Sequence, residues 1–257
     1  MAWRSPSSAT MMLAFAVTFA LAGCNSSSDS DGERVEELTA KQVVTDAATA
    51  MSTVESASFT IEQTGATVFI DDAEQFAFQA ADGRFAAPGS SEAILTVQAL
   101  GFVTEVGAIA IDGRLWLTNP LTGEWGEAPE NFTFDPAQLF NADTGIPALL
   151  REATATAELV DDLADQSTGE SSDEADSDRG NVHLVRTLVS AERVAVLTSG
   201  LVNEESEVDL RIDATSDRIV EVSFDVDVDG AVSDWRMTLS DYDEDVTIDP
   251  PELNAGG

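Results

Sequence analysis

Ile219-Val220-Glu221-Val222-Ser223-Phe224-Asp225-Val226-Asp227-Val228-Asp229-Gly230-Ala231-Val232-Ser233-Asp234-Trp235-Arg236-Met237-Thr238-Leu239 alternates apolar and polar residues on both sides of an Asp-Gly pair. Such a pair between alternating runs favours a two-residue hairpin turn, because both central residues need positive φ, which Asp tolerates and Gly adopts freely. A turn at Asp229-Gly230 fixes the register. Phe224 then faces Trp235, Val222 faces Met237 and Val220 faces Leu239. All three pairs are apolar and share one face, while Glu221, Ser223 and Asp225 point the other way. A slip of one residue would reverse every side chain, so the pattern specifies its register. The expectation is an antiparallel hairpin with one face on an apolar interior and the other in water.

Asp112-Gly113 gives the same construction with a different outcome. Ile109 faces Trp116, while Ala110 faces Leu115 and Ala108 faces Leu117, so both faces are apolar. This part of the sheet is expected to be covered on each side, for example by helices on one and by packed strands or a ligand on the other. Asp82-Gly83 is read as a third turn of the same kind. From Ser58 to Thr118 the chain reads as short β segments rich in Phe, Val, Ile and Thr. Val182 to Val189 reads as a strand, and strands resume near Glu207 and run to about Ile248. A sheet of roughly ten strands does not stay flat and open.

Helical signals lie between and before these strands. Thr39 and Gln42 have capping-box spacing, followed by Val44, Ala47, Ala48 and Met51 on one helical face. Asp135-Pro136 suggests an N-cap with Pro at the first helical position. Ile146, Leu149, Leu150 and Ala153 form a second apolar stripe, and Ala191 to Leu197 a short helix. Thr154 to Leu163 fits helix or strand. Residues 165–181 are acidic and lack large apolar side chains, which reads as a solvated mobile loop or, alternatively, a domain linker. Helices on one side of a curled antiparallel sheet leave a natural apolar pocket between the layers; a solid core gives the same sequence pattern.

The N-terminus carries an export signal. After Arg4, residues 9–22 hold no charge. A membrane-spanning helix needs about 20 apolar residues, so this run suits a signal peptide rather than a span. It ends in Leu21-Ala22-Gly23-Cys24, which looks like a lipobox. The Cys24 thiol would take a diacylglyceryl group, and removal of residues 1–23 would leave lipidated Cys24 as the first residue. Residues 24–37 then read as a lipidated end and flexible tether, and 38–252 as a single domain. Cys24 is the only cysteine, so no internal disulfide forms.

The net charge is −36, with Asp and Glu outnumbering Lys and Arg 48 to 12. This surface repels nucleic acid, which is excluded as a partner. The acidity fits adaptation to high salt or simple solubility. His183, the only histidine, sits in an apolar strand-like run and reads as structural. No G-x-S-x-G elbow, phosphate-binding glycine loop or H-E-x-x-H motif occurs. Asp225, Asp227 and Asp229 mimic the start of a calcium loop, but Arg236 stands where a bidentate Glu is needed. No metal, cofactor or catalytic residue is therefore assigned. Acids are so abundant that any carboxylate pair could pass for a glycosidase pair. Trp116, Trp125 and Trp235 could stack on sugars, but in β segments they read as core or cavity wall.

Several short motifs occur in order: the lipobox and tether, the helix of Leu38 to Met51, Ile111-Asp112-Gly113-Arg114-Leu115-Trp116 with Trp125 after it, Asp135-Pro136, and Gly145-Ile146-Pro147-Ala148-Leu149-Leu150. Val208-Asp209-Leu210-Arg211-Ile212-Asp213, Leu239-Ser240-Asp241-Tyr242 and Val246-Thr247-Ile248-Asp249-Pro250-Pro251 follow. This order resembles the LppX/LprG/LprA/LprF family of mycobacterial-type lipoproteins over about residues 38–252. The resemblance implies an α+β fold: a strongly curved antiparallel half-barrel with helices on its concave side, similar to LolA and LolB. It also implies an apolar cavity for acyl chains of envelope lipids or glycolipids, a carrier role without catalysis, and lipid attachment at Cys24. The long acidic loop and the unusual acidity depart from the family, and the latter makes strongly anionic cargo less natural. The hairpin registers offer Val222, Phe224, Trp235 and Met237, with Ile109 and Trp116, as cavity-lining residues. The protein is expected at the cell membrane, lipid-anchored on its extracytoplasmic face and monomeric, with lipid or glycolipid cargo and an envelope transporter as partners. The alternatives are a surface binding or adhesion module with a solid core and no cargo, and an envelope hydrolase built on a carboxylate pair.

Overall fold

The computed structural model describes residues 38–71, 73–99, 101–129, 132, 136–160 and 181–253. Cys24, the tether and all but Asn181 of the acidic segment 165–181 lie outside these residues. The described elements belong to one compact unit that begins at Leu38. Its first helix, α1 (Ala40–Met51), is capped by Thr39, whose hydroxyl accepts from the Gln42 backbone N–H at 3.2 Å. The reciprocal half of the capping box is absent: the Gln42 amide donates to Asp46 at 3.0 Å, one turn on. Val43, Val44, Ala47, Ala48 and Met51 form the buried face of α1.

The strands are β1 (Ser56–Gly65), β2 (Phe76–Ala86), β3 (Ser90–Ala99), β4 (Phe102–Ile111), β5 (Arg114–Thr118), β6 (Trp125–Glu127), β7 (Glu158–Leu159), β8 (Val182–Val189), β9 (Ser206–Asp213), β10 (Ile219–Val228) and β11 (Ala231–Ser240). They form one 11-stranded sheet in the order β6-β5-β4-β3-β2-β1-β11-β10-β9-β8-β7. Every pairing is antiparallel, and the sheet is curved and not closed. The two halves of the chain meet where β1 pairs with β11, with Ile61 opposite Met237 and Gln63 opposite Trp235.

Both expected hairpin registers occur. Phe224 pairs with Trp235 and Val222 with Met237; Ile109 pairs with Trp116 and Ala108 with Leu117. Asp112, Gly113, Asp229 and Gly230 all have positive φ, as the turn requires. The expected Val220–Leu239 pair does not extend the ladder. The β9–β10 register shifts between Ile219 and Glu221, which turns Ile219 into the core and leaves Val220 half-buried. A second irregularity lies between Phe78 and Ala80 in β2. An extra residue bends its strand and increases local twist. These two sites flank the central β1–β11 pair and help the sheet curl.

Asp82-Gly83 is not a turn; it lies inside β2. A Cβ on Gly83 would stand 2.5 Å from the Phe59 ring and 2.4 Å from the Glu92 carbonyl oxygen. Glycine is there to let Phe59 of β1 lie across the neighbouring strand. The N-cap expected at Asp135 lies outside the described residues, and Pro136–Phe140 is a 3₁₀ helix rather than an α-helix. The stripe at 146–153 is helix α2 (Ile146–Ala153), and α3 is Ala191–Leu197. As far as Val160, where the described residues stop, the ambiguous stretch splits into a turn and the short β7. Strand structure ends at Ser240, and the tail is instead pinned by side chains. Tyr242 Oη donates to the Ile219 carbonyl, and the Asp243 carboxylate accepts from the Glu55 backbone N–H at 2.8 Å. Asp243 is paired with Arg218.

The helices cover one face of the sheet. Buried residues of α1, α2 and α3 form a single cluster with the inward side chains of β1 to β4 and β8 to β11. Their packing is uneven: α2 rests on α1 and β8, and the 3₁₀ helix on β2 and β3.

Candidate functional site

Toward the β6 edge the inner face borders a cavity. Alternation points Val106 of β4 and Leu117 of β5 inward. Phe76, at the start of β2, shares that face with buried Phe78. With Ile70, which precedes β2, and Phe132, they wall a cavity of about 590 Å³. That lies within the roughly 300–1,000 Å³ typical of small-molecule sites.

The cavity owes its shape to two polar turns. The Asp71 carboxylate accepts from the backbone N–H groups of Gln75 at 3.0 Å and Phe76 at 2.8 Å, which fixes the chain entering β2. Asn119 Oδ1 accepts from the Leu121 and Thr122 N–H groups at 2.9 and 3.2 Å, closing the β5–β6 connection. Asp71, Gln75, Asn119, Glu124 and Glu127 supply the polar lining, with no Lys or Arg among the lining residues. Apolar walls with an uncharged or acidic rim suit a hydrocarbon tail whose head stays in solvent.

The six residues expected to line a cavity separate into two groups. Val222, Phe224, Trp235 and Met237 are buried on the helix-covered face. There Trp235 stacks on Phe224 and on Phe78, with ring centroids 6.2 and 5.6 Å apart. This aromatic row packs at the centre of the sheet outside the 590 Å³ cavity, and its Phe78 and Trp235 border a second hollow. Ile109 and Trp116 lie on the opposite face. Ile109, with Ile94, Gly107 and Trp125, lines a shallow 430 Å³ groove there, and Arg114 lies over the buried Trp116 ring at 4.9 Å. The cavity residues Ile70, Phe76 and Phe132 were missed because each stands in a segment without periodicity. Val106 and Leu117 were within reach: the β4–β5 register already placed apolar residues on both faces of that hairpin.

A larger hollow of about 940 Å³ is lined largely by polar side chains, among them Glu62, Ser223, Asp225, Asp234 and Arg236. Asp225 and Asp234 are directly opposed across β10 and β11. Partial desolvation, a hydrogen bond shared with Asp234 and mutual repulsion raise the Asp225 carboxyl. The pair is a local electrostatic cost on an acidic surface. Among the described residues no His, Cys, Asp or Glu group could hold a metal ion.

The LppX_LprAFG lipoprotein family matches residues 39–248. The chain belongs to this family. The match covers all the described strands and helices. The fold is also that of two solved family structures. LprF from Mycobacterium bovis superposes with a TM-score of 0.57 at 15% identity, covering 82% of this chain and 96% of that one. LppX from Mycobacterium tuberculosis gives 0.50 at 15% identity, covering 82% and 98%. No curated protein matches the chain. Among the described residues no helix is long and apolar enough to cross a membrane.

Proposed function

We propose that this lipoprotein is a non-enzymatic lipid carrier, anchored through a diacylglyceryl group on Cys24 to the extracytoplasmic face of the cell membrane. It would hold an acyl chain of a lipid or glycolipid in the cavity between β2, β4 and β5 and help move it across the envelope, handing it to or from an envelope transporter. The single observation that carries this reading is the apolar 590 Å³ cavity walled by Ile70, Phe76, Val106, Leu117 and Phe132. Burial of hydrocarbon supplies about 0.8 kcal/mol per CH₂ removed from water, so affinity needs no single dominant polar contact. The uniformly non-basic lining favours a neutral head over a strongly anionic one.

Native mass spectrometry of freshly purified protein tests this. The expected result is a co-purified lipid mass. Val106→Phe and Leu117→Phe, which fill the cavity, should reduce uptake of a fluorescent fatty-acid probe at least tenfold while leaving the thermal midpoint within a few degrees. A clean apo mass together with probe uptake indifferent to both substitutions contradicts the reading and leaves a surface binding module with a solid core.

A further inference from the structure

The three most exposed large hydrophobic side chains among the described residues are Leu121, Phe102 and Val103, at 93%, 76% and 61% exposure. They are not scattered. Phe76, a wall of the cavity, pairs with Ala99, and Ala99 pairs with Phe102, so these three form one row across β2, β3 and β4. Paired residues share a face, which puts Phe102 on the cavity side of β4, beyond Val106. Val103 follows it on the strand and points to the other face at the same end of the sheet. Leu121 comes next after Asn119 and Pro120, both of which line the cavity. Phe69, 37% exposed and bridged to Ala77, lies at the same end of the sheet on its other face.

Charge marks the same place. The chain has 48 acidic residues, yet none falls between Glu92 and Glu105 or between Arg114 and Glu124, and no base falls there either. The β3–β4 and β5–β6 turns lie in these two stretches. On a chain of net charge −36, two adjacent, uncharged, apolar turns are where contact with hydrocarbon costs least desolvation. Isolated exposed leucines are ordinary; a cluster at the mouth of an apolar cavity has a use.

We propose that this rim, Phe102, Val103 and Leu121, is a membrane-docking surface that dips into the lipid bilayer and places the cavity mouth against the acyl region. The proposal rests on the carrier reading above for its purpose. The occupant is a lipid surface rather than a protein groove partner, because the side chains project from turn tips beside a cavity suited to a hydrocarbon tail. An acyl chain would then pass from bilayer to cavity without crossing water. Residues 25–37 allow it: at most about 3.5 Å per residue, that length of chain spans up to about 45 Å between an anchor at Cys24 and the compact unit. The acidic remainder of the surface is repelled by anionic headgroups, so docking favours neutral or zwitterionic membranes.

Flotation with phosphatidylcholine vesicles tests this. The protein begins at residue 25, which removes the lipid anchor and retains the whole compact unit. The unaltered protein should float with vesicles. Phe102→Glu with Leu121→Glu should lower vesicle partitioning at least tenfold, and Phe102→Ser with Leu121→Ser should do so at least severalfold. Leu188→Glu introduces the same charge at another exposed leucine and should change partitioning less than twofold. All variants should keep the thermal midpoint and the uptake of a fatty-acid probe in vesicle-free buffer. Absence of flotation by the unaltered protein overturns the proposal, as does equal flotation of both rim double variants or equal loss in Leu188→Glu. Loss of self-association rather than of vesicle binding in the rim variants also overturns it, in favour of a contact between copies. Rim-dependent flotation without probe uptake supports docking while it sinks the cavity.

Discussion

The β10–β11 hairpin at the centre of the sheet and the β4–β5 hairpin near its edge begin from the same device, an Asp-Gly turn with both residues at positive φ. Their surroundings differ. Along β10 and β11 the apolar residues occupy one face, and that face is filled: Val222, Phe224, Trp235 and Met237 are packed among helix and strand side chains. Along β4 and β5 both faces are apolar. One of them, through Val106 and Leu117, meets a cavity; the other, through Ile109, meets a groove crossed by Trp125. Strict alternation thus marks where the inward side chains pack on one another, and its loss marks where an apolar cavity and groove open. Among the described residues the helices pack mainly on one another and on β2, β3 and β8, while Val106 of β4 and Leu117 of β5 share the cavity wall with Ile70, Phe76 and Phe132.

Truncation should separate the two regions most sharply. Phe224→Ala opens a hole in a filled stack and is expected to cost about 3–5 kcal/mol, whereas Leu117→Ala enlarges an existing cavity and should cost under about 2 kcal/mol. Urea unfolding of both variants gives the comparison, and equal losses would erase it. Insertion is the next largest effect. Gly83→Ala would drive a methyl group into the Phe59 ring and the Glu92 carbonyl, and is expected to cost about 1–3 kcal/mol in the same assay. A neutral Gly83→Ala would mean that Phe59 does not lie across β2.

The smallest effect concerns the outward face of the solid hairpin. The Asp225 carboxyl is raised, so the folded state holds this proton more readily than the unfolded chain does. The stability associated with the proton is present below the ordinary carboxylate value of about 3.9 and is lost as pH rises through the raised value. Asp225→Asn should therefore stabilise the protein at pH 7, by less than about 1 kcal/mol because solvent screens the site. The gain should fade as pH drops toward 3. Thermal melts at both pH values check the sign, and stabilisation that grows on acidification would contradict it.

The sheet was legible in the sequence wherever a turn fixed a register and alternation confirmed it. Phe224–Trp235 and Ile109–Trp116 needed nothing else. Where one residue broke the alternation, the reading failed: the shift at Val220 moves Ile219 inward, and no local signal separates Ile219 from its neighbour as the residue that turns in. Asp82-Gly83 failed for a different reason. Glycine serves a turn by adopting positive φ and serves a strand by lacking a side chain, and the dipeptide is identical in both. The α2 and α3 boundaries followed from apolar periodicity. Three of the cavity walls, Ile70, Phe76 and Phe132, were invisible because a cavity is defined by what the covering helices do not reach, which is a property of packing and not of any one segment. Within the expected set, Phe224 and Trp235 stack with Phe78, Val222 and Met237 pack in the core, and Trp235 also borders the 940 Å³ hollow.

The most direct test of a cavity at the β4–β5 edge is photo-crosslinking with a diazirine fatty acid, followed by peptide mapping of the labelled sites. Labels are expected on peptides that contain Phe76, Val106 or Leu117 and should disappear in Val106→Phe. Labels concentrated on Val222, Phe224 and Met237, or no saturable labelling at all, would contradict the account.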